Sequence, residues 1–334
     1  MPPRPTHRVL ALATAAAGGL AGLEVQRRHL GRLRRDEDHK ALSAPLGGRP
    51  LAVTSADGTR LHAERFGSGA GTVVVLAHGW TERLSFWGPV IGRLVDAGLA
   101  PVAYDLRGHG ASAEAADGDY SLERFGDDIE AVLAAVLDDG ELGIVAGHSL
   151  GGMSIAAWAD RHDVRRRVHG AALINTALGD LAAGHLLLGE MARRFEHPAL
   201  SRLLMGSGLR VPPFSSPLQQ AIIRHAAFGP TATPGMVAFY EQMLIACAPA
   251  ARAAAGIALT DMDLFQAVAQ LTVPALVVCG NRDRLTPPAQ ARRIVESLPM
   301  PAGLLELEAT GHMGPLERPA EIAEAIAGLT ASTA

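Results

Sequence analysis

Short apolar runs alternate with helical patterns along most of this 334-residue chain. The runs at 72–77, 142–146 and 273–278 are almost continuously hydrophobic, which is typical of strands that are buried on both faces. Between such runs, the residues from Ser121 to about Leu137 repeat apolar side chains at helical spacing. A chain that alternates strands with helices in this way forms a mainly parallel sheet covered by helices on both faces.

Two parts of the chain depart from this alternation. Residues 177–270 contain several helical patterns and no convincing strand, which predicts a helical cap inserted over the sheet. Residues 36–50 combine charges with two prolines and two glycines, which is typical of a linker. We therefore expect an N-terminal segment over 1–50, a sheet core built from 51–176 and 271–334, and a cap over 177–270.

Composition excludes several classes of protein. Aromatic residues make up 4% of the chain and the formal net charge is −4, so no nucleic-acid partner is expected. Lys40 is the only lysine, and the body of the chain therefore has none for a phosphate-binding loop, a kinase site or a Schiff base. Cys247 and Cys279 form neither a zinc-binding pattern nor a disulfide framework. The histidines of the predicted cap share no metal-ligand spacing, so no metal site is predicted.

The first forty residues differ from the rest in charge and hydropathy. Eight basic and four acidic residues give residues 1–40 a formal charge of +4, and the stretch 9–23 is apolar except for Thr14. A short apolar stretch beside a dense group of arginines favours a helix that touches or shallowly crosses a membrane. The denser basic flank follows the stretch, so the positive-inside rule predicts that the body stays in the cytoplasm. A cleaved secretory signal, which would export the protein, and a disordered tail are the alternatives.

One serine lies between glycines where a predicted strand meets a predicted helix. The residues Gly147-His148-Ser149-Leu150-Gly151 follow a short apolar run and open a helix. This is the context of a nucleophile elbow, because a tight strand-to-helix turn strains the serine backbone and only small neighbours fit around it. Ser149 is therefore the predicted nucleophile, and Gly147, His148 and Gly151 form the elbow with it.

Two loops supply candidates for a base and an acid. A serine hydroxyl needs a base at neutral pH, and the base needs an orienting carboxylate. His312 follows the predicted strand at 304–307, and Asp283 follows the run at 273–278. Open α/β sheets place their sites in the loops that follow the strands. The order serine, aspartate, histidine is the one that this elbow implies, so we predict a triad of Ser149, Asp283 and His312.

Other carboxylates are weaker candidates for the acid. Asp105 and Asp180 also follow predicted strands. Asp127 and Asp128 lie in a predicted helix, where they are expected to cap it or to pair with arginines. The triad therefore keeps Asp283 as its predicted acid.

Backbone N–H groups are predicted to complete the site. Cleavage of an acyl bond builds negative charge on a carbonyl oxygen, and two N–H groups must already point at it. Leu150 directly follows the nucleophile and supplies one of them. Trp80, in His78-Gly79-Trp80 after the run at 72–77, supplies the other. The side chain of His78 is expected to be structural.

These motifs together resemble those of the α/β-hydrolase superfamily, in its lipase, esterase and haloperoxidase-like branch. The motifs are His78-Gly79-Trp80, Tyr104-Asp105-Leu106-Arg107-Gly108-His109-Gly110, Gly147 to Gly152, the Asp283 loop and Gly311-His312. The resemblance runs from about residue 51 to about residue 329 and is weakest in the cap. It implies a mainly parallel eight-stranded sheet with helices on both faces, a helical cap inserted after the sixth strand, and a Ser-His-Asp mechanism without a cofactor. It implies no particular substrate.

The nucleophile favours ester chemistry among the reactions of this superfamily. Similar epoxide and haloalkane hydrolases carry an aspartate at the position of Ser149, and epoxide hydrolases use two cap tyrosines where this cap has only Tyr240. The apolar cap and the N-terminal segment favour a small-molecule or lipid ester with a lipophilic acyl chain, such as a monoacylglycerol or lysophospholipid. A cofactor-free perhydrolase or haloperoxidase and a carbon–carbon hydrolase would use the same triad. A non-enzymatic ligand-binding or scaffold protein on the same fold is a further alternative.

Overall fold

A computed structural model describes residues 24–69, 71–179, 205–209, 211–260 and 262–330. At its centre is a sheet of eight strands. The strands are β1 (Arg49–Thr54), β2 (Arg60–Arg65), β3 (Val73–Ala77), β4 (Ala100–Tyr104), β5 (Gly143–His148), β6 (Val168–Ile174), β7 (Ala275–Gly280) and β8 (Pro301–Leu307). Their order across the sheet is β1-β2-β4-β3-β5-β6-β7-β8.

The sheet is mainly parallel, as the sequence predicted. β2 pairs antiparallel with β1 and with β4, and every other neighbouring pair is parallel. The antiparallel edge begins with a hairpin, in which Gly58 has a φ of 88° and the Asp57 carboxylate accepts the N–H of Thr59 at 3.0 Å. Every residue of β3, β4 and β5 is buried, which is why these strands are hydrophobic without alternation.

Helices join the strands and cover both faces of the sheet. In the described part of the chain they are α1 (Glu37–Leu42), α2 (Gly88–Asp96), α3 (Leu122–Val136), α4 (Leu150–Arg161), α5 (Pro217–Ala227), α6 (Pro234–Ala246), α7 (Pro249–Ala258), α8 (Phe265–Val268), α9 (Pro288–Ser297), α10 (Gly314–Glu317) and α11 (Pro319–Gly328). Residues 24–33 are also helical.

Alternate residues of β3 point into two separate apolar clusters. Val73 and Val75 pack in a cluster that includes residues of α3, α4 and α9. Val74 and Leu76 pack on the other face with residues of α2 and α11. Helices therefore lie on both faces, and the predicted fold class is confirmed.

Helices α3 and α4 approach each other unusually closely. A Cβ atom placed on Gly126 of α3 would lie 2.7 Å from the backbone nitrogen of Trp158 in α4. Ser121 begins α3 as its N-cap and accepts the N–H of Arg124 at 3.4 Å. The glycine allows the two backbones to meet, and α4 carries the loop of Ser149 at its N-terminus.

The segment that precedes the sheet is folded, which corrects the predicted linker over 36–50. Asp36 caps α1 by accepting the N–H of His39 at 2.9 Å, and α1 packs against α6 so closely that Gly235 has no room for a Cβ atom. β1 then begins at Arg49. The prediction missed α1 because so short a helix depends mainly on tertiary packing, here against a helix about 200 residues further along the chain.

The described part of the region between β6 and β7 is helical, with α5 to α8 and a single isolated β-bridge between Gly179 and Asp263. The predicted cap over 177–270 falls in this region, and its residues 180–204 lie outside the described residues. The apolar stretch 9–23 also lies outside them. Among the residues that are described, no helix is long and apolar enough to cross a membrane.

Candidate active site

Ser149 lies between β5 and α4 in a strained backbone conformation. Its φ and ψ are 50° and −114°, and a positive φ is disfavoured for residues other than glycine. The N–H of Ser149 donates to the carbonyl of Ile174 at 3.0 Å, and the carbonyl of Ser149 accepts the Thr176 hydroxyl at 2.7 Å. Ser149 therefore occupies the sharp strand-to-helix turn that an elbow requires.

The glycines around Ser149 leave no room for side chains. A Cβ atom on Gly151 would collide with the carbonyl of Ala77 in β3, and one on Gly147 would collide with the backbone of Gly151. The turn can therefore form only with glycine at these two positions.

His312 and Asp283 form a buried hydrogen-bonded pair in the loops that follow β8 and β7. Nδ1 of His312 lies 2.9 Å from Oδ2 of Asp283, and each residue is 4% exposed. The carboxylate also accepts the Asn175 amide at 3.0 Å, the Thr286 hydroxyl at 2.7 Å, and the N–H groups of Leu285 and Thr286 at 2.9 Å each. These donors fix the carboxylate against the imidazole.

The two members of this pair shift each other's pKa in opposite directions. Burial alone lowers the pKa of His312, but the negative charge and hydrogen bond of Asp283 outweigh burial and hold that pKa above its ordinary value. Burial raises the pKa of Asp283, and the attraction of His312 together with the other donors brings it below its ordinary value. The result is a carboxylate beside an imidazole that readily accepts a proton, which suits a general base.

The loop after β6 connects the three predicted residues. The Asn175 amide donates to Asp283 and, at 3.1 Å, to the carbonyl of Gly311 next to His312, while Thr176 holds the carbonyl of Ser149. Asp283 engages Nδ1 of His312, so Nε2 is the nitrogen that remains for the serine proton.

The contact between Ser149 and His312 stays a prediction. No hydrogen bond joins the Ser149 hydroxyl to the imidazole within the described part of the chain. Catalytic hydrogen bonds are often long in enzymes without substrate and tighten in the complex.

The N–H groups of Trp80 and Leu150 make no hydrogen bond to another described residue. On either side of Trp80 the N–H groups are occupied: Gly79 donates to the Glu82 carboxylate at 2.5 Å, and Thr81 donates to Nε2 of His109 at 3.3 Å. Leu150 is the first residue of α4, where N–H groups have no partner within the helix. Both groups are thus available for the predicted oxyanion site, and that role remains a prediction.

Three polar residues that the sequence analysis did not single out support these loops. Asn175 and Thr176 follow β6 directly, and Glu82 follows β3 by five residues. The Glu82 carboxylate lies 3.1 Å from Nδ1 of His148, whose Nε2 lies 2.9 Å from the carbonyl of His312. Their place after a strand was the only available signal, and many polar loop residues share it.

The rival carboxylates have other partners. Asp105 accepts the N–H groups of Leu84 at 2.6 Å and Ala111 at 2.8 Å, and so ties two loops together. Asp128 pairs with Arg107 at 2.6 Å. Asp127 pairs with Arg161 and His162 at 3.0 Å each. Asp180 lies outside the described residues.

The order of the sheet, the strained serine turn and the buried His–Asp pair are those of an α/β hydrolase, and the chain belongs to the α/β-hydrolase superfamily. Within it, the family described as serine aminopeptidase, S33, matches residues 69–312.

Relatives in this superfamily carry several activities. The chain is 30% identical over 234 residues to a monoacylglycerol lipase of Mycolicibacterium smegmatis, covering 67% of this chain and 74% of the lipase. It is 36% identical over 113 residues to a non-heme chloroperoxidase of Kitasatospora aureofaciens, covering 34% of this chain and 39% of that protein. The solved structure of a membrane phospholipase A, a bacterial virulence factor, aligns over 98% of both chains with a TM-score of 0.65 and 22% identity. That structural likeness shows the fold alone. The family and the sequence relatives indicate a hydrolase.

Proposed function

We propose that this hydrolase cleaves carboxylic esters through an acyl-enzyme on Ser149. The observation that carries the proposal is the buried pair of His312 and Asp283, 2.9 Å apart, which lies in the loops next to a serine with a positive φ. A serine hydroxyl, an imidazole with a raised pKa and an orienting carboxylate are the parts that nucleophilic acyl transfer needs.

Each residue has one role in the proposed reaction. The Ser149 oxygen attacks the ester carbonyl while Nε2 of His312 takes its proton, and Asp283 stabilises the imidazolium that forms. The negative charge on the carbonyl oxygen is held by the N–H groups of Trp80 and Leu150. His312 then gives its proton to the leaving alcohol, and water repeats the sequence to release the acid and restore Ser149.

The acyl chain of the proposed substrate is lipophilic. The cap contributes buried apolar side chains, among them Phe228, Phe239 and Met243. One relative is a monoacylglycerol lipase, and a protein of the same fold is a membrane phospholipase A. We therefore propose a carboxylesterase, monoacylglycerol lipase or lysophospholipase type of activity.

A fluorophosphonate probe tests the nucleophile, because it labels only an activated serine. We expect the wild-type protein to be labelled and Ser149→Ala to remain unlabelled. Ser297→Ala is the matched control, since the Ser297 hydroxyl donates to the carbonyl of Arg293 on an exposed helix. An unlabelled wild type or a labelled Ser149→Ala protein would refute the assignment. Hydrolysis of p-nitrophenyl esters of increasing acyl length then measures the preference for long chains.

A cofactor-free perhydrolase is the second candidate. The similarity to the Kitasatospora chloroperoxidase, 36% over 113 residues, favours it. In that reaction the same acyl-enzyme is released by hydrogen peroxide instead of water. Peroxide-dependent halogenation that exceeds ester hydrolysis, and that is lost in Ser149→Ala, would support this candidate over the esterase.

We also propose that residues 1–40 attach the protein to a membrane. The apolar stretch 9–23 and the arginines that follow it support this proposal.

A further inference from the structure

A second acid–histidine pair lies under the loops of the proposed triad. Glu82 is 3% exposed and His148 is fully buried, and Nδ1 of His148 lies 3.1 Å from both carboxylate oxygens of Glu82. On the other side of the ring, Nε2 lies 2.9 Å from the carbonyl oxygen of His312. Among the described residues, His148 is the only basic side chain within 4.0 Å of the Glu82 carboxylate.

Both nitrogens of His148 face oxygen atoms, one of a backbone carbonyl and the other of the Glu82 carboxyl group, which accepts a proton when it is ionised. A carbonyl oxygen has no proton to donate, and neither has an ionised carboxylate. A neutral imidazole carries one N–H, so the lone pair of its other nitrogen would point at an acceptor. Glu82 also accepts the N–H of Gly79, so an ionised carboxylate can accept from both of its hydrogen-bond partners.

Two neighbouring histidines provide the contrast. Nε2 of His78 accepts the N–H of Leu106 at 3.0 Å, and its Nδ1 donates to the carbonyl of Gly79 at 2.8 Å. His109 is arranged in the same way, with one donor and one acceptor as partners. A neutral imidazole satisfies both sets of partners, and burial lowers the pKa of each of these two histidines. Of these three histidines, only His148 has a hydrogen-bond acceptor at both ring nitrogens.

We propose that His148 is protonated on both ring nitrogens, paired with an ionised Glu82, and that this pair is a positioning device for the proposed ester cleavage. Glu82 holds the loop of Trp80 through the N–H of Gly79. His148 holds the loop of the base through the carbonyl of His312. The pair thereby sets the distance between the oxyanion N–H group and the imidazole. The protonation state is independent of the proposed function, whereas the positioning role rests on it.

The charges around the pair are consistent with this assignment. No arginine or lysine of the described residues pairs with Glu82. A buried ionised carboxylate needs a positive partner, and among the described residues His148 is the basic side chain placed to supply it.

Nitrogen-15 NMR of labelled histidines in the full chain tests the protonation. At about pH 8, we expect two ring N–H signals from His148, because both of its nitrogens face oxygen acceptors, and one each from His78 and His109. His148→Gln assigns the signals by removing them. Glu82→Gln should remove only the second proton, because its amide oxygen can accept the Gly79 N–H while its NH₂ group donates to Nδ1. A single N–H on wild-type His148, or two in Glu82→Gln, would overturn the proposal.

Ester hydrolysis tests the positioning role. His148→Phe keeps a ring against Phe86 but removes both hydrogen bonds, and we expect kcat to fall about 10- to 100-fold with little change in KM. Glu82→Gln should lower kcat less than His148→Phe does, because all three hydrogen bonds can be kept. The control is His62→Phe, since His62 forms a half-buried pair with Glu64 at the same 3.1 Å on β2.

An equal effect of His148→Phe and His62→Phe, or a change in KM alone, would overturn the positioning role. If His148→Phe does not fold, the spectrum of Glu82→Gln still reports the proton, and Glu82→Ala, which removes the hydrogen bonds to Gly79 and to His148, tests the positioning role. A kcat loss for Glu82→Ala that is confined to the control range would remove the pair from the mechanism. Failure of fluorophosphonate to label wild type would refute the proposed function and leave the NMR result intact.

Discussion

Single residues decide the protonation state of the proposed site. Asp283 holds the pKa of His312 above its ordinary value against the effect of burial, which favours the neutral form. The base must be neutral to take the serine proton, so kcat/KM should rise with pH as His312 loses its proton. This acid limb should therefore lie above the ordinary histidine value of about 6.5.

Asp283→Asn should shift the acid limb of the kcat/KM profile and lower kcat. Without the carboxylate charge, burial dominates and the pKa of His312 falls, so the acid limb shifts to lower pH. The amide no longer orients or stabilises the imidazolium, and kcat should fall on the order of 10³- to 10⁴-fold. The measurement is the pH profile of kcat/KM for a p-nitrophenyl ester. Asp160→Asn, on the exposed side of α4, should change neither quantity, and an unshifted limb in Asp283→Asn would contradict the assignment.

The site residues that the sequence predicts are those that stand in a recognisable local context. Ser149 lies in a pattern of glycines that few other turns need, and Asp283 and His312 follow strands in the expected order. Asn175 and Glu82 escaped prediction because their roles arise from contacts with loops more than 60 residues away in the chain. No local pattern records such a contact.

At the scale of secondary-structure elements, buried strands were the most predictable feature. The runs at 72–77 and 273–278 correspond to β3 (Val73–Ala77) and β7 (Ala275–Gly280), because a strand covered on both faces must be continuously apolar. The short helix α1 was not predictable, since its stability comes from α6. The close contact of α3 with α4 could not be predicted either, because a glycine in a helix does not by itself indicate which element it packs against.

That contact predicts opposite effects for two helical glycines. Gly126→Ala would place a Cβ atom 2.7 Å from the backbone of Trp158, and we expect it to lower the free energy of unfolding by about 1 to 3 kcal/mol. Gly92→Ala, on the exposed side of α2, meets no atom within 4 Å and should raise that free energy by about 0.5 to 1 kcal/mol. Urea unfolding of the three proteins measures both. A Gly126→Ala protein at least as stable as the wild type would show that the α3–α4 packing is not as tight as described.

At the scale of the whole molecule, the N-terminal arm, residues 24–48, contacts the region of α5 and α6. Gln26 and His29 contact Ser215 just before α5, with His29 Nε2 and the Ser215 hydroxyl 2.8 Å apart. Further along the arm, His39 lies 2.9 Å from the Gln242 amide on α6. The proposed anchor is thus joined to the body by packed residues rather than by a free tether.

Removal of residues 1–23 should separate attachment from folding. We expect the full-length protein in the membrane fraction of cells and the shortened protein in the soluble fraction, because the apolar stretch 9–23 is lost while the packed arm stays. Fluorophosphonate labelling of both proteins checks that the body remains folded. A full-length protein found entirely in the soluble fraction would contradict the proposed attachment.

The distance along the chain between Ser149 and His312 has a consequence during synthesis. His312 follows β8, so a ribosome must add more than 160 residues after Ser149 before the nucleophile acquires its base. Nascent or prematurely terminated chains that stop before His312 would contain Ser149 without its base. Turnover in a lysate would accordingly count the chains that contain both residues and ignore shorter fragments.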